Sequence, residues 1–535
     1  MPEASLSAAA AALDVADAAV AAAAARLAAA GPAALDEQQV VAYDLAHAAS
    51  ALATGRAALA YGAAGPDEAA LAVAFCADAL ADLGARLAGR EAAWGLPAGA
   101  VAAEPAVVAL LAAGRDPVWL ASLADLDPPR QLDPDFEMVA TAFRRFAVER
   151  IAPVAEHVHR RNGDVPEEII TGLAELGAFG LSIPEGYGGF ATGGERDYLG
   201  MVVATEELSR ASLGAGGSLI TRPEILARAL VKGGTEEQKR RWLPRLADGS
   251  LMAAVAVTEP DFGSDVAGLT VTATRAPDGA WVVNGTKTWS TFAARADLLM
   301  LLARTDPDRS KAHRGLSLFV VEKERADGHG FVLTQPDGGR LEGRPIDTIG
   351  YRGMHSYELA FAGWRVPAEN LVGGEAGLGR GFYLQMEGFE NGRLQTAARA
   401  VGVMQAAWEA ARAYGADRRV FGRPVGDYQL TRVKLARMAA AIVAARASML
   451  EVARLMAKGE GALEASMVKA YVCRAAEWVT REAMQVHGGF GYAEEYPVSR
   501  LFVDARVLSI FEGADETLAL KVIARRLVAD AAARG

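Results

Sequence analysis

Two stretches of this sequence combine residue types suited to holding a flat, polar ligand. The first is Val257-Thr258-Glu259-Pro260-Asp261-Phe262-Gly263-Ser264-Asp265, a turn rich in hydroxyls and main-chain donors, with a glycine that permits close approach. Such a loop can hydrogen-bond a heterocycle or a pyrophosphate, although an ordinary connecting loop has the same composition. The second is Asn284-Gly285-Thr286-Lys287-Thr288-Trp289-Ser290-Thr291. A Trp followed by two hydroxyls offers a stacking plane and donors to one ligand, but a Trp at a strand end also serves simply as core.

Both stretches belong to a region whose pattern predicts strands. From Leu251 to about Pro367, short apolar runs alternate with turn signals: Leu251 to Thr258, Leu269 to Arg275, Ala280 to Val283, Leu298 to Ala303 and Leu316 to Val321. Pro277-Asp278-Gly279 and Asn284-Gly285 read as hairpin turns, so a mostly antiparallel β domain is expected. Helical periodicity flanks it on both sides. Before it, Phe136 to Asp248 is helical, with a turn-rich linker (Asp127-Pro128-Pro129 to Asp133-Pro134) upstream. The first 120 or so residues predict Ala/Leu-rich helical hairpins punctuated by Gly31-Pro32 and Gly65-Pro66-Asp67, with amphipathic segments Val41 to Tyr61 and Glu68 to Leu87. After Gly377, the segments Phe382 to Tyr414, Asp427 to Gly459 and Leu463 to His487 are long enough for a bundle. The fold class expected is mainly α with a central β domain.

Composition narrows the function. A chain of 535 residues suggests several domains, and 52% hydrophobic with 23% charged residues is ordinary for a globular enzyme. Net charge −11 argues against a nucleic-acid partner. Cys76 and Cys473, the only cysteines, predict neither a disulfide nor a thiolate metal site, and no metal ligand set is expected. The Ala-rich start from Ala8 to Ala30 is broken by Asp14, Asp17 and Arg26 and lacks a basic leader. The expectation is a cytoplasmic protein with no membrane-spanning or signal segment.

Further motifs extend the pattern: Leu173-Ala174-Glu175-Leu176-Gly177, Pro184-Glu185-Gly186-Tyr187-Gly188-Gly189, Thr235-Glu236-Glu237-Gln238-Lys239, Arg418-Arg419-Val420-Phe421-Gly422 with Gln429, Gln485-Val486-His487-Gly488-Gly489-Phe490-Gly491, and Phe511-Glu512-Gly513. With the two loops, this ordered set resembles the acyl-CoA dehydrogenase family from about Phe136 to Leu527. The resemblance implies four regions: an extra helical extension (1–130), an N-terminal helical domain (135–249), a β domain (250–370) and a C-terminal helical bundle (378–533). It also implies FAD as cofactor. Val257, Thr258 and Ser264 would contact the flavin, Trp289 would pack on it, and Ser290 and Thr291 would offer hydrogen bonds near its reactive edge. Arg418, Phe421, Gln429, Gln485 and Gly489 would reach the FAD of a neighbouring subunit. Glu512 would be the catalytic base, with Glu390, Arg393 and Gly513 lining the acyl-CoA site. Some relatives carry the base at the position before Arg393, where this chain has Gly392, which cannot serve. Two departures stand out: Ala514 in place of a Thr, and Leu518 where a Gln is expected.

The long extension, with Gly392 to Thr396 and Ile349 to His355, narrows the implied substrate to 2-methylsuccinyl-CoA and the implied setting to the ethylmalonyl-CoA pathway. Short or branched monocarboxylic acyl-CoAs are the alternative. A substrate carboxylate buried in the acyl pocket needs a cation. Within Ser218-Leu219-Ile220-Thr221-Arg222-Pro223, Arg222 is the candidate, with Arg352 and His355 as other possibilities and His355 more readily structural. An electron-transferring flavoprotein is the implied electron acceptor and a homodimer the implied assembly, the extension blocking a tetramer or merely stabilising the bundle. An acyl-CoA oxidase and a non-catalytic acyl-CoA-binding protein are the rival readings.

Overall fold

In the computed structural model, which describes residues 5–326 and 329–534, the apolar runs after Leu251 form one eight-stranded sheet. Its strands are β1 (Ala253–Ala256), β2 (Thr272–Arg275), β3 (Trp281–Thr291), β4 (Leu298–Arg304), β5 (Leu316–Glu322), β6 (Phe331–Thr334), β7 (Arg340–Ile346) and β8 (Ser356–Val366). They run in the order β1-β4-β2-β3-β8-β7-β6, with β5 on β4. Pairing is antiparallel except where β1 and β2 meet β4. Along β4 every residue is buried, because successive side chains enter different cores. Leu298, Met300 and Leu302 join Trp242, Leu243 and Leu246, while Leu299, Leu301 and Ala303 join Trp281, Phe319 and Phe361.

One expected turn is not a turn. Pro277-Asp278-Gly279 does close the β2–β3 hairpin, but Asn284-Gly285 lies inside β3, where the pairing with β8 shifts register. Gly285 has φ +125°, and the Asn284 Oδ1 accepts from the Gly363 N–H at 2.8 Å. The positive φ that would have made a hairpin makes a bulge instead.

The sheet belongs to the compact unit Val139–Gln395, together with the helices Ala152–Arg161, Glu167–Glu175, Glu195–Ala211, Thr221–Gly233 and Glu236–Ala247. The last opens on a reciprocal cap, Thr235 Oγ1 accepting from the Gln238 N–H and Gln238 Oε1 from the Thr235 N–H. Such a cap is worth about 1 kcal/mol.

A second unit gathers Met1–Met138 with Thr396–Gly535. The extension helices Leu6–Ala29, Gln39–Gly62 and Pro66–Leu87 pack with the bundle helices Gln429–Ala457 and Ala462–His487 and with Arg525–Arg534, and Pro105–Gly114 packs on Leu6–Ala29 and Pro66–Leu87. By length and composition alone Leu6–Ala29 is apolar enough to cross a membrane. Yet Ala9, Ala12, Leu13, Ala16, Ala19, Val20, Ala23, Ala24 and Leu27 are buried within the unit, as in a core helix. Cys76 and Cys473 are buried free thiols in helix interiors.

Candidate active site

In the unit Val139–Gln395 the two stretches expected to hold a ligand are fastened to each other. Glu259 turns inward from its loop and accepts from the Thr270 N–H (2.7 Å), the Thr270 hydroxyl (2.6 Å) and the Val271 N–H (2.8 Å). It also pairs with Lys287 at 2.9 Å, and both side chains are buried. The Lys287 Nζ donates to the Val257 carbonyl as well (2.8 Å), and the Thr288 N–H donates to the Thr258 carbonyl (2.8 Å). Burial pushes Lys287 down to about 8, with Glu259 opposing. Burial pushes Glu259 up, but Lys287 and the Thr270 and Val271 donors outweigh it and hold the carboxyl below its usual range.

A second register shift in β3, between Lys287 and Ser290, explains Trp289. Its backbone has φ +57° and its side chain is 55% exposed, unusual for so large an apolar group. The bulge aims it outward while Lys287 and Ser290 on either side stay buried. The Ser290 Oγ is buried without a hydrogen-bond partner, whereas the Thr291 hydroxyl meets the Ser356 hydroxyl at 3.0 Å. Val257 is buried, Thr258 half-buried and Ser264 exposed at the loop tip. An aromatic face, a buried hydroxyl still lacking a partner and a loop held rigid from behind fit a flavin ring.

Arg222 is buried, and its Nη2 donates to the Tyr351 hydroxyl at 3.1 Å. The other two candidates for a carboxylate partner also have partners of their own. Arg352 donates to the Thr348 and His159 carbonyls, both at 2.9 Å. His355 Nε2 lies 3.0 Å from Asp164 Oδ1, which holds Asp164 low, and its ring packs against His329. This grouping of Asp164, His329 and His355 brings potential ligand atoms within 4.8 Å of one another, from segments too distant in sequence for spacing to show it.

Beside Arg222 stands a buried hub that spacing also did not reveal. Glu224 accepts from Ser182 (2.6 Å), Arg228 (2.8 Å), Asn391 (2.7 Å) and Gln395 (2.6 Å), and Gln395 in turn accepts from Thr205. It fixes the helix stretch that carries Glu390 and Arg393, both half-buried, around the buried Gly392.

In the other unit, Glu512 sits in the turn after the helix Pro497–Leu508, half-buried, at φ +55°. Gly513 follows at φ +100°, and a Cβ there would press on Leu518. Phe511 lies under the Arg399 guanidinium (4.7 Å), the Gly513 carbonyl accepts from buried Lys469, and Ser509 donates to Glu477. The Leu518 that replaces the expected Gln is itself core, 1% exposed.

Elsewhere in that unit, Arg418, Phe421, Gln429, Gln485 and Gly489 are all exposed. Phe421 and Gly422 form the tip of a two-residue hairpin between Arg419–Val420 and Arg423–Pro424. Phe421 has φ +46° and is 98% exposed.

Comparison with known proteins places this geometry. Family models described as the acyl-CoA dehydrogenase N-terminal, middle and C-terminal domains match residues 133–250, 254–363 and 379–528. A (2S)-methylsuccinyl-CoA dehydrogenase of Cereibacter sphaeroides is 46% identical over 399 residues, 74% of this chain and 70% of that protein. The structure of butyryl-CoA dehydrogenase from Megasphaera elsdenii aligns with a TM-score of 0.67 at 32% identity, covering 75% of this chain and all of that one. A glutaryl-CoA dehydrogenase from Mycobacterium smegmatis, solved in complex with FADH2, aligns with a TM-score of 0.64 at 26% identity, covering 77% of this chain and 97% of that one.

Proposed function

Since this chain belongs to the FAD-dependent acyl-CoA dehydrogenase family, we propose that it oxidises 2-methylsuccinyl-CoA to mesaconyl-CoA. The observation that carries the substrate is Arg222, a buried guanidinium in hydrogen-bond contact with Tyr351, in a chain 46% identical to a methylsuccinyl-CoA dehydrogenase. A succinyl-type thioester brings a free carboxylate that is costly to bury without a cation, and Arg222 supplies one.

In this reading Glu512 takes the α-proton as the Cα–H bond breaks, and the double bond forms as the β-hydrogen leaves with its electron pair. FAD, when bound, supplies the two-electron acceptor for that hydrogen. Thr258, Ser264, Trp289, Ser290 and Thr291 would hold it, with Val257 behind them. The left-handed turn at Glu512 and Gly513 directs the carboxylate and fixes the Glu512 N–H, a donor for the thioester oxygen as charge builds there. Glu390 and Arg393 contribute to the acyl-CoA path, and Arg418, Phe421, Gln429, Gln485 and Gly489 meet the cofactor of a second copy in a homodimer. Electrons then pass to an electron-transferring flavoprotein in the cytoplasm.

The test is anaerobic bleaching of the yellow holoenzyme by 2-methylsuccinyl-CoA, with butyryl-CoA and isobutyryl-CoA alongside. Fast bleaching by 2-methylsuccinyl-CoA alone is expected. Bleaching only by a monocarboxylic thioester would leave the family chemistry standing and discard the dicarboxylic substrate. Rapid reoxidation by an electron-transferring flavoprotein, with slow reaction toward O2, is expected of a dehydrogenase and not of an oxidase.

A further inference from the structure

The helix Gln39–Gly62, part of the extension that precedes the family match, touches the turn that carries Glu512. Tyr43 and His47, one helical turn apart, share a face and converge on one atom. The Tyr43 hydroxyl donates to Asp515 Oδ2 at 2.6 Å, and His47 Nε2 lies 3.1 Å from the same oxygen. Their rings pack at 4.4 Å, and the Arg474 guanidinium reaches the Tyr43 oxygen at 3.4 Å. The His47 side chain is 5% exposed and that of Asp515 12%, so water competes weakly for these bonds.

Asp515 opens the short helical turn Asp515–Thr517, three residues after Glu512, and its N–H donates back to the Ser509 carbonyl at 3.1 Å. The bundle holds this turn at Ser509, Phe511 and Gly513, as described above. On the Asp515 side, its side-chain bonds are to Tyr43 and His47 of the extension. Between these attachments lie two successive left-handed residues, Glu512 and Gly513, a backbone shape that persists only where surrounding contacts enforce it. Burial and the bond to Asp515 raise Tyr43 to about 12, so it remains a donor throughout the neutral range. Burial lowers His47, which leaves a neutral ring able to present an Nε2–H to the carboxylate.

We propose that Tyr43 and His47 are positioning residues for the proton abstraction, which makes the N-terminal extension a structural part of the active site through Asp515. The inference rests on Glu512 being the base. Loosening the turn misplaces the carboxylate and the adjacent N–H while leaving the flavin loops and the Arg222 pocket unchanged, and a displacement of about 1 Å at a reacting group lowers rate by up to about 100-fold.

The experiment compares the full-length holoenzyme with Tyr43→Phe, His47→Leu and the double variant, with Glu512→Gln as control. It reads the anaerobic bleaching rate with 2-methylsuccinyl-CoA and with butyryl-CoA, the FAD content, and the flavin spectral shift on binding mesaconyl-CoA or crotonyl-CoA. Expected is a bleaching rate about 10- to 100-fold lower in the double variant, with FAD content and product affinity unchanged, and faster amide exchange across residues 509–515. Wild-type bleaching in the folded variants, with Glu512→Gln inactive, overturns the positioning role and leaves the base in place. An active Glu512→Gln overturns the base itself. If the double variant fails to fold, Tyr43→Phe decides alone, since it removes one oxygen. A wild-type rate and unchanged exchange at 509–515 in that variant overturn the proposal.

Discussion

Five of the nine non-glycine residues with positive φ among the described residues, Trp289, Tyr351, His355, Phe421 and Glu512, fall in stretches that the sequence singles out for chemistry. Each such conformation costs on the order of 1–3 kcal/mol, so the surrounding structure must enforce it. The residue types were legible in the sequence. The conformations were not, because nothing in a Glu or a Phe compels a left-handed backbone. The same holds for Arg222, whose burial and Tyr351 contact appear only once residues 129 positions apart are folded together. Glu512→Gln is expected to retain FAD and ligand while bleaching at least about 1000-fold more slowly, the scale for losing a placed base. Near-normal turnover would remove Glu512 from its role. Arg222→Ala is expected to lower discrimination for 2-methylsuccinyl-CoA over butyryl-CoA by roughly 2–4 kcal/mol, read as a ratio of kcat/KM values. An unchanged ratio would clear Arg222 of carboxylate binding.

Among the elements, β3 does the most to shape the site. Its two register shifts turn an otherwise alternating strand into one that buries Lys287, exposes Trp289 and buries Ser290. The run of Val, Thr and Trp predicts a strand, but its bulges depend on the partner β8, and the one local signal, Asn284-Gly285, is the same in a bulge as in a hairpin turn. Behind the strand, the Lys287–Glu259 pair ties β3 to the Val257–Asp265 loop. Breaking such a buried pair by Lys287→Met is expected to cost about 3–5 kcal/mol and to release FAD more readily. Denaturant unfolding with flavin fluorescence measures both, and an unchanged midpoint would show the pair to be dispensable. The pH dependence has a defined sign. Folded Lys287 titrates near 8 against 10.5 for the free side chain, so above pH 8 the unfolded chain holds the proton more strongly. The stability contributed by this group rises with pH between about 8 and 10.5 and is lost as pH falls through 8, by at most about 1.4 kcal/mol per pH unit. A stability profile that falls across that window in wild type relative to Lys287→Met would contradict it.

For the whole molecule, the order of helical and β segments was readable from periodicity, and the family match fixed the architecture. Where the extension belongs was not readable. Its helices present mostly alanine, which fits closely against many surfaces and specifies none, yet they share a unit with residues 396–535. Assembly is the other property of the whole. In the proposed homodimer the Phe421 ring, 98% exposed at its hairpin tip, would meet the FAD of the second copy. Phe421→Ala is expected to weaken FAD retention about tenfold, a typical loss for an aromatic contact, without changing monomer stability. Full FAD occupancy after dilution and gel filtration would exclude that contact. The division into units also sets a timetable for synthesis. A ribosome that has finished residues 1–138 must make all of 139–395 before their packing partners emerge, roughly ten to fifty seconds at ordinary elongation rates. Throughout that interval the faces of the extension helices that pack on the bundle are uncovered. Alanine exposes little apolar surface and has low strand propensity, so a nascent segment built from it can wait without aggregating where a leucine- and valine-rich one would not.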